Sequence, residues 1–333
     1  MDLPIGRIYI SACSLPWHNQ AFEEQLLHEV QPHEFVLYLW QNHNTVVIGR
    51  HQNAWRECDW QSLAAAGGHL ARRISGGGAV FHDLGNLNFT FIRPRADYDL
   101  QSQLNIILQA VRAVDIDAEF SGRNDLLAAG RKFSGNAFCH QRANSLHHGT
   151  LLVASDLSAL QRYLRPSPEK IHSKGVESLR QRVVNLRELA PSMQVADLRE
   201  ALCRSFAACC CQCETQIVDT SLLDLGSLYE KFSSRQWRFG AAPRFSMSFE
   251  RRFFWGEVQL CLLAQQGLIR EAALFSDAMD ADLITELARA LPDAPLLSEA
   301  IAPIWRQIPV DEKQAQLVED LISWLEEKLE EPQ

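Results

Sequence analysis

The run RRISGGGAVFHDLGN, from Arg72 to Asn86, constrains this chain more than any other stretch. Three successive glycines usually mark a floppy linker, yet Ile74 stands on one side of them and Ala79-Val80-Phe81 on the other. Glycine between apolar segments marks either a tight passage of backbone between strands or a place where a ligand lies directly on the main chain. Successive N–H groups in such a passage can form an anion nest, and Arg72 and Arg73 bring cations to its entrance. The run is neither a G-x-x-x-x-G-K-[ST] phosphate loop nor a G-x-G-x-x-G dinucleotide turn. Taken alone, it leaves turn and cradle equally open.

The elements around it give the class. Arg7–Ser11, Phe35–Trp40 and Thr45–Gly49 read as buried strands, and His18–Val30 and Trp55–Ala66 as helices. Asn86–Ile92 alternates, with Leu87, Phe89 and Phe91 on one face and Asn88 and Thr90 on the other. Tyr98–Val114 carries an apolar stripe of Leu100, Leu104, Ile107, Leu108 and Val111. Strands are expected at Leu126–Ala128, Lys132–Cys139 and Leu146–Val153, then a short helix at Asp156–Leu164 and a long loop over Ser167–Arg187. This order predicts an α+β (mixed α/β) fold rather than a regular βαβ repeat. A change of composition near Gly240–Pro243 predicts two domains, 1–245 and 246–333. In the second, Phe249–Leu263 and Leu268–Phe275 read as a hairpin, followed by helices.

Composition narrows the partners. A net charge of −9 over 333 residues excludes a general nucleic-acid binder, whereas local groups of arginine suit a small anion. No apolar run reaches the roughly 18 residues that span a bilayer, and the start MDLPIGRIYISACSLPW lacks a signal-peptide pattern. Nine cysteines, an odd number, suit a reducing cytoplasm. Cys210 and Cys213 have C-x-x-C spacing, but half of a zinc ligand set is missing. The cysteine cluster continues a helical stripe of Val195, Leu198, Leu202 and Phe206, which favours buried thiols over a metal or redox site.

Two further stretches carry chemistry. SGRNDLLAAGRKFSGNAF, Ser121 to Phe138, holds Asp125, a candidate ligand for Mg²⁺. It also holds Lys132, a point cation able to reach a phosphoryl or carbonyl oxygen and otherwise an ordinary strand lysine. HHGTLL, His147 to Leu152, supplies imidazoles, a glycine and a hydroxyl.

These pieces, with KGVESLRQRVVNL from Lys174 and TVVIGRHQN from Thr45, closely resemble the lipoate–protein ligase A family through most of residues 1–245. The C-terminal part resembles the accessory domain of its two-domain members. The resemblance implies a biotin/lipoate ligase-like catalytic domain, with a mixed sheet flanked by helices, plus a small α+β C-terminal domain. It implies a cytoplasmic enzyme that forms lipoyl-AMP from lipoate and Mg-ATP. The lipoyl group would then pass to a lysine of apo lipoyl domains in 2-oxoacid dehydrogenase E2 subunits and the glycine cleavage H protein, with no nucleic-acid or membrane partner. By resemblance, Arg73, Gly78, Ala79, Val80, Phe81, Asn124 and Thr150 hold ATP and the adenylate. Lys132 contacts both the lipoyl carbonyl and the α-phosphate. His82, His148 and Gly149 border lipoate together with Arg73, Asp125 binds Mg²⁺, and Lys174–Asn185 closes over the site. Ile74 and the short turn Ala128–Gly130 depart from related ligases without removing an implied ligand. No residue stands out as base for the acceptor amine. The competing readings are an ATP-independent octanoyl or lipoyl transferase acting through Cys139, and a non-enzymatic protein that binds lipoate or lipoyl domains.

Overall fold

A computed structural model of the chain describes residues 3–121, 125–165, 183–239, 247–265 and 267–330. They pack as two units. One comprises residues 1–48, 55–73 and 79–238, and the other residues 49–54, 74–78 and 239–333.

The first unit is built on β1 (Ile5–Ser11) and β2 (Glu34–Trp40), with a three-stranded side sheet of β3 (Thr45–Ile48), β4 (His69–Arg72) and β5 (Val80–His82). The chain continues through β6 (Asn86–Pro94), β7 (Ala118–Phe120), β8 (Asp125–Ala128), β9 (Arg131–His140), β10 (Asn144–Leu152) and β11 (Gln212–Val218). Eight of these strands form one mixed sheet in the order β11-β1-β2-β6-β10-β9-β8-β7. The pairs β11–β1 and β1–β2 are parallel, and the other pairs are antiparallel.

Every residue of β2 is buried, as its nearly unbroken apolar sequence requires of a central strand. On one face, Leu37, Leu39, Leu87, Phe89 and Phe91 meet the helices Leu100–Arg112 and Val195–Ala207 in a single core. Phe206 packs against Phe35 with ring centroids 4.6 Å apart. On the other face lies the helix Pro16–Glu29, whose buried residues include Asn19, Gln20, Glu23 and Glu24. That face of the sheet carries Tyr38, Trp40, Asn86, Asn88, Thr90 and His148, all buried. The alternation in Asn86–Ile92 therefore separates two buried faces, one apolar and one polar.

The second unit contains an antiparallel sheet of β12 (Met247–Arg252), β13 (Glu257–Gln265) and β14 (Leu268–Ser276). The helices Ala281–Arg289, Ser298–Arg306 and Glu312–Glu330 close a core around Leu260, Leu287, Trp305 and Trp324. Two short segments from early in the chain belong to it. Ser276 N–H donates to the His51 carbonyl at 3.0 Å, and Gly77 N–H to the Ala278 carbonyl at 3.1 Å.

The glycine run resolves residue by residue. A Cβ on Gly76 would collide with the carbonyls of Ala278 and Met279. Gly77 has φ of 87°, which L side chains rarely adopt. Gly78 is different, since a Cβ there would meet no heavy atom within 4 Å. Two of the three glycines are thus required by the fold, and the third is not.

Several expected elements are corrected. Trp55–Ala66 is not one helix but two, Ala54–Glu57 and Trp60–Ala65, because the Asp59 side chain caps the second by accepting from Ser62 N–H. The helical stripe toward the cysteine cluster ends at Ala207, and Cys213 lies in β11. Phe249–Leu263 is two strands, divided where Phe253 N–H donates to the Gly256 carbonyl at 2.8 Å. The turn between β8 and β9 places Ala129 and Gly130 at φ of 49° and 71°, which suits a two-residue hairpin. Most of the loop expected over Ser167–Arg187 lies outside the described residues.

Candidate active site

β9 brings Lys132 to the middle of the motif constellation. Its Nζ lies 2.7 Å from Asp125 Oδ1 on β8, and both side chains keep about a third of their surface exposed. Gly135 makes room for that ammonium, because a Cβ on it would sit 3.0 Å from Lys132 Nζ and 4.0 Å from Thr150 Oγ1. Gly135 N–H donates to Thr150 Oγ1 at 3.3 Å. Lys132, Asp125 and Thr150 therefore converge around one glycine. The end of the segment expected to close over the site also arrives here, with Val184 N–H donating to the Lys132 carbonyl at 2.9 Å. Residues 174–182 of that segment, and Asn124, lie outside the described residues.

A second cluster sits on the buried polar face. His148 Nδ1 lies 2.9 Å from Glu23 Oε1, with both side chains almost wholly buried. Thr90 Oγ1 donates to the same carboxylate oxygen at 2.6 Å and accepts from Trp40 Nε1 at 3.1 Å. Arg73 is buried beside this cluster and feels Glu23. Burial draws its guanidinium down to about 10, partly offset by Glu23, so it remains a cation at neutral pH. The Arg73 Nη1 donates to the Val47 carbonyl at 3.3 Å. His82 is pushed down to about 3 by burial, then by Arg73 and His148, so it is a neutral ring. Its Nδ1 lies 3.3 Å from the Asn42 amide nitrogen and accepts from it.

Ala79, Val80 and Phe81 lead into and along β5, with Phe81 buried. Gly149 is imposed by packing, since a Cβ would press on Phe89 and the Gly135 carbonyl. Arg72 turns away from Arg73, its Nε and Nη2 donating to the carbonyls of Trp237 and Arg238 at 2.8 and 3.0 Å. Gly78 is counted with the second unit and is described there alone.

Sequence reasoning missed Glu23, Trp40, Thr90 and Gly135. The polar half of the Asn86–Ile92 alternation was the one available signal for Thr90, but it reads equally as a solvated face. Glu23 gave none, because an acid in a helix is ordinary until its helix is found buried all round.

Three groups here are both buried and unpartnered among the described residues: His82 Nε2, Asn86 Oδ1 and Asn88 Nδ2. Native interiors rarely leave such atoms unsatisfied, so Asn86 and Asn88 on the polar sheet face, with His82 on β5 of the side sheet, mark a place for a polar ligand.

The geometry agrees with known proteins. A model of the lipoyl protein ligase A/B catalytic domain matches residues 15–207, and one of the bacterial lipoate protein ligase C-terminus matches residues 242–325. The chain belongs to the lipoyl protein ligase A/B family. Lipoate-protein ligase A of Psychrobacter cryohalolentis is 42% identical over 299 residues, 86% of this chain and 88% of that protein. LipL1 of P. falciparum, solved with lipoate, superposes with a TM-score of 0.85 at 27% identity, over 97% of this chain and 99% of LipL1. A lipoate-protein ligase A solved with ATP gives 0.58 at 26% identity, over 72% of this chain and 99% of that one. A bipartite lipoate protein ligase from Thermoplasma acidophilum, solved as part of a lipoylation system with its E2 lipoyl domain, gives 0.62 at 26%, covering 74% of this chain and all of that one. The chain is an enzyme with lipoate ligase activity on a biotin/lipoate ligase-like fold, as its motifs imply.

The transferase reading through Cys139 loses its ground. Cys139 is seven residues beyond Lys132 on the same strand, a separation of about 20 Å at strand rise. Most of the cysteine cluster packs against core, while Cys211 is exposed and corrects the expectation of a wholly buried cluster. Cys203, Cys209, Cys210 and Cys213 pack on the large hydrophobic core, and burial pushes the Cys210 thiol up to about 12. Among the described residues, no three His, Cys, Asp or Glu side chains gather to hold a metal ion.

Proposed function

We propose that this ligase joins lipoate to AMP at the expense of ATP and then passes the lipoyl group to a lysine of an apo lipoyl domain. The acceptors are the E2 subunits of 2-oxoacid dehydrogenases and the glycine cleavage H protein. The observation that carries the reading is Lys132, held over Gly135 beside Thr150 and Asp125 at the edge of a buried polar face.

In the first step a lipoate carboxylate oxygen attacks the α-phosphorus, and the bond to pyrophosphate breaks. Negative charge gathers on the α-phosphoryl oxygens, where the Lys132 ammonium and the buried Arg73 guanidinium stabilise it without reorganisation. Ala79, Val80 and Phe81 line the nucleotide, with Thr150 and Asn124 beside its phosphates. A Cβ on Gly78 would meet no heavy atom within 4 Å, so packing does not explain the glycine there, and its assignment to the nucleotide rests on the family resemblance. His82, His148 and Gly149 border the acyl chain.

In the second step the acceptor amine attacks the carbonyl carbon of the mixed anhydride, the C–O bond to AMP breaks, and AMP leaves with its electron pair. Lys132 stabilises the oxyanion. Removing one such donor typically costs about 2.7–4 kcal/mol of barrier.

Asp125 suits Mg²⁺, which takes one or two carboxylates and fills its remaining positions with phosphate and water. Bound there, the ion would offset charge on the nucleotide phosphates. Residues 1–245 form the catalytic domain and residues 246–333 an accessory domain in this reading. None of the nine cysteines is joined in a disulfide, which suits a reducing compartment such as the cytoplasm. No helix among the described residues is long and apolar enough to cross a membrane.

The test is intact-mass analysis of an apo lipoyl domain incubated with the enzyme, lipoate and Mg-ATP. One lipoyl addition is expected, dependent on ATP and absent with folded Lys132→Ala. Addition without ATP, or full addition by the variant, would contradict the proposal.

A further inference from the structure

β9 does not run evenly against β8. Asp125 pairs with Gly135 and Leu126 with Ser134, but Leu127 pairs with Lys132, which leaves Phe133 as the extra residue of a β-bulge. Such an insertion reverses the alternation of side chains beyond it and can re-aim one beside an active site.

The faces of β9 show what the reversal achieves. Ala137 pairs with His148 on the polar face, and Gly135, two residues earlier, shares that face under the Lys132 ammonium. Asn136 Oδ1 lies 2.9 Å from His147 Nε2, and the His147 ring packs on Phe89 and Phe91, so Asn136 belongs to the apolar face. An unbroken period of two would then put Ser134 on the apolar face, Phe133 on the polar face and Lys132 in the core. Instead Phe133 is wholly buried in the large hydrophobic core, with Leu126 and Val184, and Lys132 Nζ rests over Gly135. One added residue thus gives the ring to the core and the ammonium to the ligand face.

Both halves of that exchange favour the bulged register. A phenyl ring gains from burial, whereas an ammonium turned into the apolar core would lose its water without an equal return. The main chain is fixed at the same point, because Val184 N–H donates to the Lys132 carbonyl at 2.9 Å and Val184 is itself buried in that core.

We infer that the bulge at Phe133 aims Lys132 at the reacting carbonyl and phosphoryl oxygens, and that Phe133 is a positioning residue acting on ligation through Lys132. The inference rests on the role proposed above for Lys132.

A double-mutant cycle tests it, with ligation of an apo lipoyl domain as the reaction and kcat expressed per folded molecule. Phe133→Ala is expected to lower kcat at least about tenfold, more than it changes KM for lipoate, because a displaced ammonium loses its alignment with the reacting oxygens. In Lys132→Ala the same substitution should change the slow residual addition, read over correspondingly long incubations, by less than about twofold, since the group it aims is gone. Phe91→Ala, an equally buried aromatic of the same core, controls for lost packing and should leave kcat per folded molecule nearly unchanged. Should Phe133→Ala fold poorly, Phe133→Leu keeps the core filled and should slow ligation about threefold, again only where Lys132 is present. Full kcat in the Phe133 variants, or slowing by the same factor with and without Lys132, overturns the inference while leaving the role of Lys132 intact. Full ligation by Lys132→Ala overturns both.

Discussion

The two faces of the central strand β6 are buried to the same degree and built from opposite chemistry. On β6, Leu87, Phe89 and Phe91 are no more than 1% exposed, and so are Asn86, Asn88 and Thr90 between them. The apolar face is what hydrophobic burial alone would select. The polar face costs free energy wherever a buried group lacks a partner. The difference teaches that one face holds the fold and the other has been kept for a ligand, at some expense of stability.

The largest effect should come from the apolar face. Phe91→Ala is expected to destabilise by about 3–5 kcal/mol through lost burial and a cavity, read by urea unfolding. Ligation per folded molecule should change far less than stability. Lys132→Ala should do the reverse. Its side chain, about a third exposed, is cheap to remove, yet ligation should fall by about two to three orders of magnitude while the unfolding midpoint barely moves.

Thr90→Val lies between these extremes. It strips both the acceptor of the Trp40 indole N–H and the donor to Glu23, which should cost about 1–3 kcal/mol. Were the polar face merely a tolerated interior, this isosteric change would cost stability alone and leave lipoate affinity untouched. A loss of affinity larger than the loss of stability would sharpen the functional assignment.

Acid should act on both faces. His82 is held near about 3 beside the polar face, as is His147 on the apolar side, against 6.5 for an ordinary imidazole. Each folded ring binds fewer protons than its unfolded counterpart between those values. Their contribution to stability is therefore complete above pH 6.5 and is lost as pH falls, at about 1.4 kcal/mol per pH unit for each ring. Unfolding measured from pH 7 to pH 5 should show this slope, reduced by about one proton in His147→Gln.

Gly135→Ala is the finest probe. Its Cβ would press on the end of a flexible lysine, so the protein should fold normally while turnover drops about tenfold as Lys132 Nζ is displaced.

Much of the fold was legible because its signals are local. The aromatic alternation of Asn86–Ile92 and the stripe of Leu100–Arg112 need only their own periods to be read. The motifs placed Lys132, Asp125 and Thr150 together, and the structure shows them around Gly135. Hidden from sequence were the partners that only tertiary folding supplies. Glu23 lies 125 residues from His148, and nothing in either stretch announces the other. The glycine run was half understood. Gly76 and Gly77 answer to the backbone at Ala278, about two hundred residues away, which no local pattern encodes. The cysteine cluster was legible as core, but its strand was not, because Ala207 ends the helix without a glycine or proline to mark it.

The central claim, that Lys132 and the polar face activate lipoate as an adenylate, is tested most directly by ATP–pyrophosphate exchange. The wild-type chain should exchange label only when lipoate is present, and Lys132→Ala should exchange about two to three orders of magnitude more slowly. Exchange that ignores lipoate, or survives intact in the variant, would contradict the account.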